Sequence, residues 1–425
     1  MTRGDAGGVR FAGWIFAAAT AAFALLFYRD FAFRPATVIA GRDLLVEGWP
    51  LRAHYVEALR AGHGVPLWTP HIYGGIPFVG LLPGPIFYPT TLLYFFLPLG
   101  RAIGWTFVLH TFLGGVFAYF MARSFRLRPW SACVCGASFF LTGYVTSHLF
   151  GGQDGRMFAM TLMPLAFGCL ERALRSGEVR WYAGLGITVA LQIFTPHAQI
   201  VYFSSLALGL YLLYHLAVRV GPDKGEPEAG RNRFVRPIAG FGLAFVLAAC
   251  AGAAQLLPTF ALLDDVTRSA AETGYAFAAS WALPPQELTA LFLPDLVGSL
   301  GTYWGTNPLK LHTEYLGSIP IALALLAVAG SFRPVLAAGQ RRTVWFLAGA
   351  SAVGLLFALG AATPVHRIAT AVLPLMSSFR APVMMMSAVA LFVALLAGFG
   401  WETVLAARAR EGHRGGPASP IVLLL

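Results

Sequence analysis

Two carboxylates four residues apart, Asp43 and Glu47, sit among Leu44, Leu45 and Trp49. A helical turn there places both on one face. A carboxylate held against apolar neighbours near a bilayer surface is partly desolvated, which raises its pKa and suits it to accept a proton. The plainer reading is a loop carboxylate paired with Arg42 or Arg52. A second group is Phe150-Gly151-Gly152-Gln153-Asp154-Gly155-Arg156. Asp154 could bind a divalent metal or position Arg156, and Arg156 could hold a phosphate by charge-assisted hydrogen bonds. A tight turn with a local ion pair explains the same residues. His197 and Gln199, at a helix break after Thr195-Pro196, could bind sugar hydroxyls or phosphate oxygens, or satisfy backbone groups freed by the break. Arg380 could bind phosphate or anchor a helix end by snorkelling.

Other chemistry has no support. The chain has no P-loop, GxSxG, HExxH or strand-linked GxGxxG pattern. His54, His63 and His71 match no metal spacing. A metal needs several oxygen ligands, and only Asp43, Glu47 and Asp154 are candidates to converge. No metal site is therefore predicted, a divalent cation stays open, and the cofactor is unknown. Cys133, Cys135, Cys169 and Cys250 lie in apolar stretches and read as small packing residues.

The elements that must position these groups are helices in a membrane. The chain is 57% hydrophobic and 12% charged over 425 residues, where soluble domains average about 25% charged. Ten apolar stretches are expected to span: 11–28, 102–122, 131–150, 157–171, 181–196, 199–218, 237–258, 316–331, 344–360 and 383–404. Lipid offers no partners for backbone polar groups, so the spans are helices. With the N-terminus cytoplasmic, the inner segments carry 19 of the 30 basic residues and net +11, while the outer segments net zero. That is the positive-inside bias; the basic excess is topological and gives no sign of a nucleic-acid partner. The expected fold class is all-α: a polytopic membrane bundle of about 10 helices forming one integral domain over 1–425. It has two long extracytoplasmic loops, 29–101 and 259–315, and a shorter one at 361–382. In the first, an amphipathic helix is expected from Pro50 to Gly62, then a broken Gly/Pro-rich run, then an interfacial segment from Ile86 to Leu97. The inner connection 219–236 reads as a flexible linker. The tail 419–425 looks like the opening of an eleventh span, as if the sequence were a fragment.

The order of motifs is similar to that of bacterial YfhO-type membrane proteins. The likeness begins at Gly41-Arg42-Asp43 and Trp49-Pro50, then Pro66-Leu67-Trp68-Thr69-Pro70, Gly74-Gly75-Ile76-Pro77-Phe78 and Phe87-Tyr88-Pro89. It continues through His197-Ala198-Gln199, Gln255-Leu256-Leu257-Pro258, Tyr303-Trp304 and Glu314-Tyr315-Leu316-Gly317 to Phe379-Arg380-Ala381-Pro382. Thr69 stands for the usual Asn, Ala198 for Pro, and Arg42 precedes the Asp as an insertion; later spans and an outer domain of the family are missing. The resemblance implies the GT-C glycosyltransferase architecture, a polyprenyl-phosphate sugar donor, and a cell-envelope polysaccharide, teichoic acid or lipid as acceptor. It places the catalytic carboxylate at Asp43 and adds Trp68 and Tyr88 to the substrate-binding residues Asp154, Arg156, His197, Gln199 and Arg380. The chemistry is coherent with one base: an acceptor hydroxyl must lose a proton as it attacks the anomeric carbon, and a lipid phosphate leaves with help from cations. A glycosidase would want two carboxylates flanking the bond. The rival readings are a transporter or flippase of a polyprenyl-linked substrate and a non-catalytic envelope-assembly partner. Transporters place their binding groups at the midplane, whereas the acidic residues here gather at the outer ends of nearly charge-free spans. All of this implies a multi-pass protein of the plasma membrane.

Overall fold

The computed structural model describes residues 3–34, 37–72, 74–218, 232–263, 270–298, 300–308 and 310–412. The tail 419–425, most of the inner connection 219–236, and Asp264 and Asp265 of the second outer loop lie outside the described residues.

The described chain is helical apart from one two-residue antiparallel ladder. The main helices are α1 (Arg3–Phe27), α2 (Trp49–Arg60), α3 (Leu99–Ser124), α4 (Pro129–Phe140), α5 (Asp154–Ser176), α6 (Val179–Ile193), α7 (Ala198–Val218), α8 (Asn232–Ala251), α9 (Ser318–Ser331), α10 (Ala338–Ala358) and α11 (Met386–Gly412). Five helices among the described residues are long and apolar enough to cross a membrane, and six if a bent pair counts as one span. The protein is thus a membrane-embedded helical bundle. The shorter apolar segments Phe11–Phe27, Ala253–Leu262 and Ser318–Ser331 fall below that length.

Burial separates centre from periphery. The apolar window of Pro382–Ala409 is 89% buried and that of Asp154–Ser176 is 83% buried, whereas that of Phe234–Ala251 is 11% buried despite its higher hydropathy than the Asp154 helix. A helix apolar all round that contacts little protein has lipid as its partner. α11 packs on α9, α10 and α4, α5 packs on α3 and α6, and α8 leans on α6. A core including Phe139, Met160, Met163, Phe167, Leu391 and Phe399 fills the centre.

The stretch expected as one span over 131–150 is broken. α4 ends at Phe140, and the chain resumes in Gly143–Thr146 and His148–Gly151 with a 44° bend. Thr142 turns the corner: its hydroxyl accepts from the Val145 amide at 3.2 Å, an N-cap bond that stabilises a helix start. The freed Tyr144 amide donates to the carbonyl of Tyr315 at 3.1 Å. The second outer loop thereby straps onto the break, as buried backbone polar groups require.

The first outer loop follows its expected order. α2 buries Leu51, Tyr55 and Val56 on one face. The Gly/Pro-rich run contains the ladder, pairing Trp68 with Pro77 and Thr69 with Ile76. The apolar piece breaks into two short turns, Pro89–Leu92 and Leu93–Phe96, leaving Leu92, Phe95 and Phe96 exposed.

Candidate functional site

Asp43 begins a π-helical turn, Leu44–Gly48, which runs directly into α2. Single π turns recur at functional sites. Leu44 is buried and anchors the turn, while Asp43 and Glu47 project outward. Both acids line one cavity of about 490 Å³, so the expectation of a shared face holds. Neither is buried in the way the sequence suggested: both side chains are exposed, because the apolar neighbours Leu45 and Val46 also point outward and do not cover them. Nor does Asp43 pair with Arg42 or Arg52. Its Oδ2 accepts a 2.8 Å hydrogen bond from the Gln153 amide.

The turn carrying Asp43 rests on the loop before α5 through backbone contact. Gly152 is left-handed (φ +67°), which suits glycine. A Cβ on Gly41 would sit on the Gly152 amide nitrogen and within 2.5 Å of its Cα. Gly41→Ala is therefore expected to push the Asp43 turn off Gln153 and to lower the thermal midpoint in detergent, because backbone on both sides of the contact leaves no flexible side chain to give way. A midpoint equal to that of wild type would show that the contact is not needed.

Asp154 is not a partner of Arg156. It is buried and bound to Arg52 of α2 at 2.8 Å, with the Gly155 amide donating to it at 2.8 Å. This ion pair, 102 residues apart in sequence, clamps the first outer loop to the start of α5. Arg156, one helical position beyond Gly155, is also buried and has no carboxylate within 4 Å among the described residues. Its Nε donates to His197 Nε2 at 3.3 Å. His197 edges the same cavity as Asp43, Glu47, Arg52 and Arg156.

A second cavity of about 310 Å³ adjoins the first. Asp43, Gln153 and Arg156 belong to both walls. Its far wall comes from the second outer loop, with Lys310, His312 and Glu314, and from Arg380 before α11. Gln199 does not reach either cavity. Its amide donates to the carbonyls of Arg380 (2.6 Å) and Ala381 (3.4 Å), and so holds the irregular segment that presents Arg380. Lys310 bridges two buried acids, Glu287 and Glu314, the latter at 2.6 Å.

Trp68 and Tyr88 stand apart from the cavities. Trp68 is exposed on the short ladder, and its carbonyl faces His54 Nε2 at 3.2 Å. Tyr88 is buried, stacked on Phe158 and bonded to His110 at 3.1 Å. Among the described residues, no three His, Cys, Asp or Glu side chains converge to hold a metal ion. Sequence reasoning gave no role to Gln153 and Lys310, and did not pair Arg52 with Asp154. Gln153 stood beside two residues that were singled out, which was the available signal; the Arg52 and Lys310 partners had none.

Burial pushes His197 down to about 3, with the Arg156 guanidinium adding to it. His312 is held well below the usual imidazole range by burial, then by Arg156 and Lys310. Burial works the other way on Glu314 and raises it against the pull of Lys310. A histidine whose folded pKa lies below its unfolded value of about 6.5 stabilises the fold fully above that value and loses the contribution as pH falls. Glu314 contributes in the opposite sense, below its unfolded pKa, and loses the contribution as pH rises. The thermal midpoint in detergent is thus expected to drop between about pH 6.5 and pH 4, with a smaller drop in His312→Gln. A midpoint flat across that range would contradict the placement of these rings.

No family model matches the chain, and no curated protein matches it.

Proposed function

We propose that the chain is a membrane glycosyltransferase that moves a sugar from a polyprenyl-phosphate donor to a cell-envelope acceptor, with inversion, at the extracytoplasmic face of a plasma membrane. The observation that carries this reading is the placement of Asp43. Its carboxylate is tethered by one amide, is open to solvent, and stands where two cavities meet beside the buried cation Arg156. The motif order similar to YfhO-type proteins and the GT-C architecture it implies, with ten spans and a cytoplasmic N-terminus, support the same reading.

In this reaction the acceptor oxygen forms a bond to the anomeric carbon while its proton passes to Asp43. The bond from that carbon to the phosphate oxygen breaks, and its electron pair leaves with the polyprenyl phosphate. A positioned base commonly contributes about 10²–10⁴ in rate. Arg156, with Arg380 at the rim, stabilises the departing phosphate, and fixed charges act strongly where water is excluded. His197 orients Arg156, and Glu47 orients the acceptor. The test is a membrane-fraction assay with labelled polyprenyl-phosphate sugars and envelope acceptor. Label should pass from lipid to acceptor. Label that crosses the bilayer of a reconstituted vesicle but stays on its lipid would establish the transporter in its place.

A further inference from the structure

Far from both cavities, arginines gather around two aromatic rings at the other end of α5. Arg172 lies on that helix about 24 Å from Arg156, at a rise of about 1.5 Å per residue. A hydrocarbon core is about 30 Å thick, so Arg172 stands near the opposite membrane face. Its Cζ is 4.4 Å from the ring centre of Phe120 on α3 and 4.5 Å from that of Trp181 on α6. Its Nε donates to the Ser124 hydroxyl at 2.9 Å. The guanidinium is thus held in place, while its two terminal nitrogens have no hydrogen-bond partner among the described residues.

The surrounding charge is positive. Arg123, Arg175 and Arg180 all act on Arg172. The nearby carboxylates are taken, Glu171 by Arg175 and Glu178 by Arg180. Neither Arg123 nor Arg172 has a carboxylate within 4 Å among the described residues. Arg180 is a second cation over Trp181, at 5.3 Å. Arg236 of α8 joins the same corner by donating to the Gly177 carbonyl at 2.7 Å. The positive-inside bias and the helix dipole both favour arginines at such ends. Neither effect requires them to converge, nor to fix a guanidinium against two rings with its fork left open. A planar guanidinium stacks on aromatic faces and grips phosphate with paired hydrogen bonds. Basic sites between helix ends at a membrane face hold anionic headgroups. α6 also exposes the apolar Val179 and Ile187, surface on which acyl chains can lie.

We propose that the ends of α3, α5 and α6 form a binding site for the phosphate of an anionic phospholipid, with Arg172 as its fixed guanidinium and Arg123 and Arg180 as flanking charges. The site lies across the bilayer from Asp43 and does not depend on any sugar transfer there.

The experiment adds phosphatidylglycerol, phosphatidylcholine or glycerol phosphate to the purified full chain in detergent and follows the thermal midpoint. Phosphatidylglycerol should raise the midpoint saturably, and phosphatidylcholine, whose net charge is zero, should not. Arg172→Gln should raise the half-saturating lipid concentration about tenfold, the size expected for one lost hydrogen bond to a charged group. Arg180→Gln should raise it about fivefold, the worth of one basic residue near an anionic surface. Arg333 lies at the same end of the bundle, where Gly330 meets Thr403 and Glu402 binds Arg128. Its charge is not among those acting on Arg172, so Arg333→Gln should change half-saturation less than about twofold. Wild-type half-saturation in Arg172→Gln would overturn the proposal; if that variant does not fold, the same result in Arg180→Gln would do so. An equal loss in Arg333→Gln would also overturn it, because that marks attraction to the overall charge. So would a saturable rise with glycerol phosphate alone, which marks a soluble ester as the ligand, or a rise with phosphatidylcholine equal to that with phosphatidylglycerol.

Discussion

With Asp43 as the proposed base, Asp43→Asn should reduce the proposed sugar transfer by about 10²–10⁴-fold, the usual contribution of a positioned base, while membrane insertion and thermal stability stay as in wild type. The argument for stability is local. Asp43 is exposed, and the one side-chain hydrogen bond it makes among the described residues comes from Gln153. An asparagine oxygen accepts that bond equally well, so the shape of the turn survives. What is lost, on the proposed reading, is the ability to take a proton from the acceptor. Transfer rates measured in membranes with matched protein levels decide the matter: a rate within threefold of wild type would remove Asp43 from the chemistry. The Gly41→Ala variant complements this, because it keeps the carboxylate and moves it.

Asp154→Asn should act in the other direction, on stability first. Arg52 is 3% exposed, and Asp154 is its partner. Removing one member of a buried pair leaves the other charge uncompensated, which costs about 3–5 kcal/mol. The Arg52 Nε and Nη1 already lack partners, so no alternative acceptor stands ready to absorb the loss. The thermal midpoint in detergent should fall well below wild type. Arg52→Met with Asp154→Leu should recover much of it, since an apolar pair of similar volume removes both desolvation penalties. If the single variant melted with wild type, the clamp between the first outer loop and α5 would carry no weight.

The class of the fold was legible because hydropathy is a summed property. Long apolar stretches and the charge bias between segments both survive averaging over many residues. The amphipathic α2 was legible through Leu51 and Tyr55 at helical spacing. The break near Thr142 was not, since 131–150 is apolar throughout and the bend depends on a carbonyl from Tyr315 far along the chain. The site divides similarly. Asp43 and Glu47 could be placed together by spacing alone, and Arg156 and His197 stood out as polar residues at span ends. Their exposure, however, depends on which way Leu45 and Val46 point, and that is set by the π turn and the Gly41–Gly152 contact. Asp154 was read as a neighbour of Arg156 because sequence shows only nearby partners. Its ion pair is with a residue three helices back, 102 positions earlier in the chain. Trp68 and Tyr88 entered through the resemblance and not through any physical argument, and the structure places both away from the cavities.

The two cavities have different histories on the ribosome. Everything that borders the first lies between Asp43 and His197, whereas the second needs residues as late as Met384. During synthesis the first cavity therefore has all its walls once residue 197 has been made, and the second closes only after α10 and residues 380–384 have followed. A nascent chain halted between those points would hold the first cavity complete and the second without the wall that Lys310, His312, Glu314 and Arg380 supply.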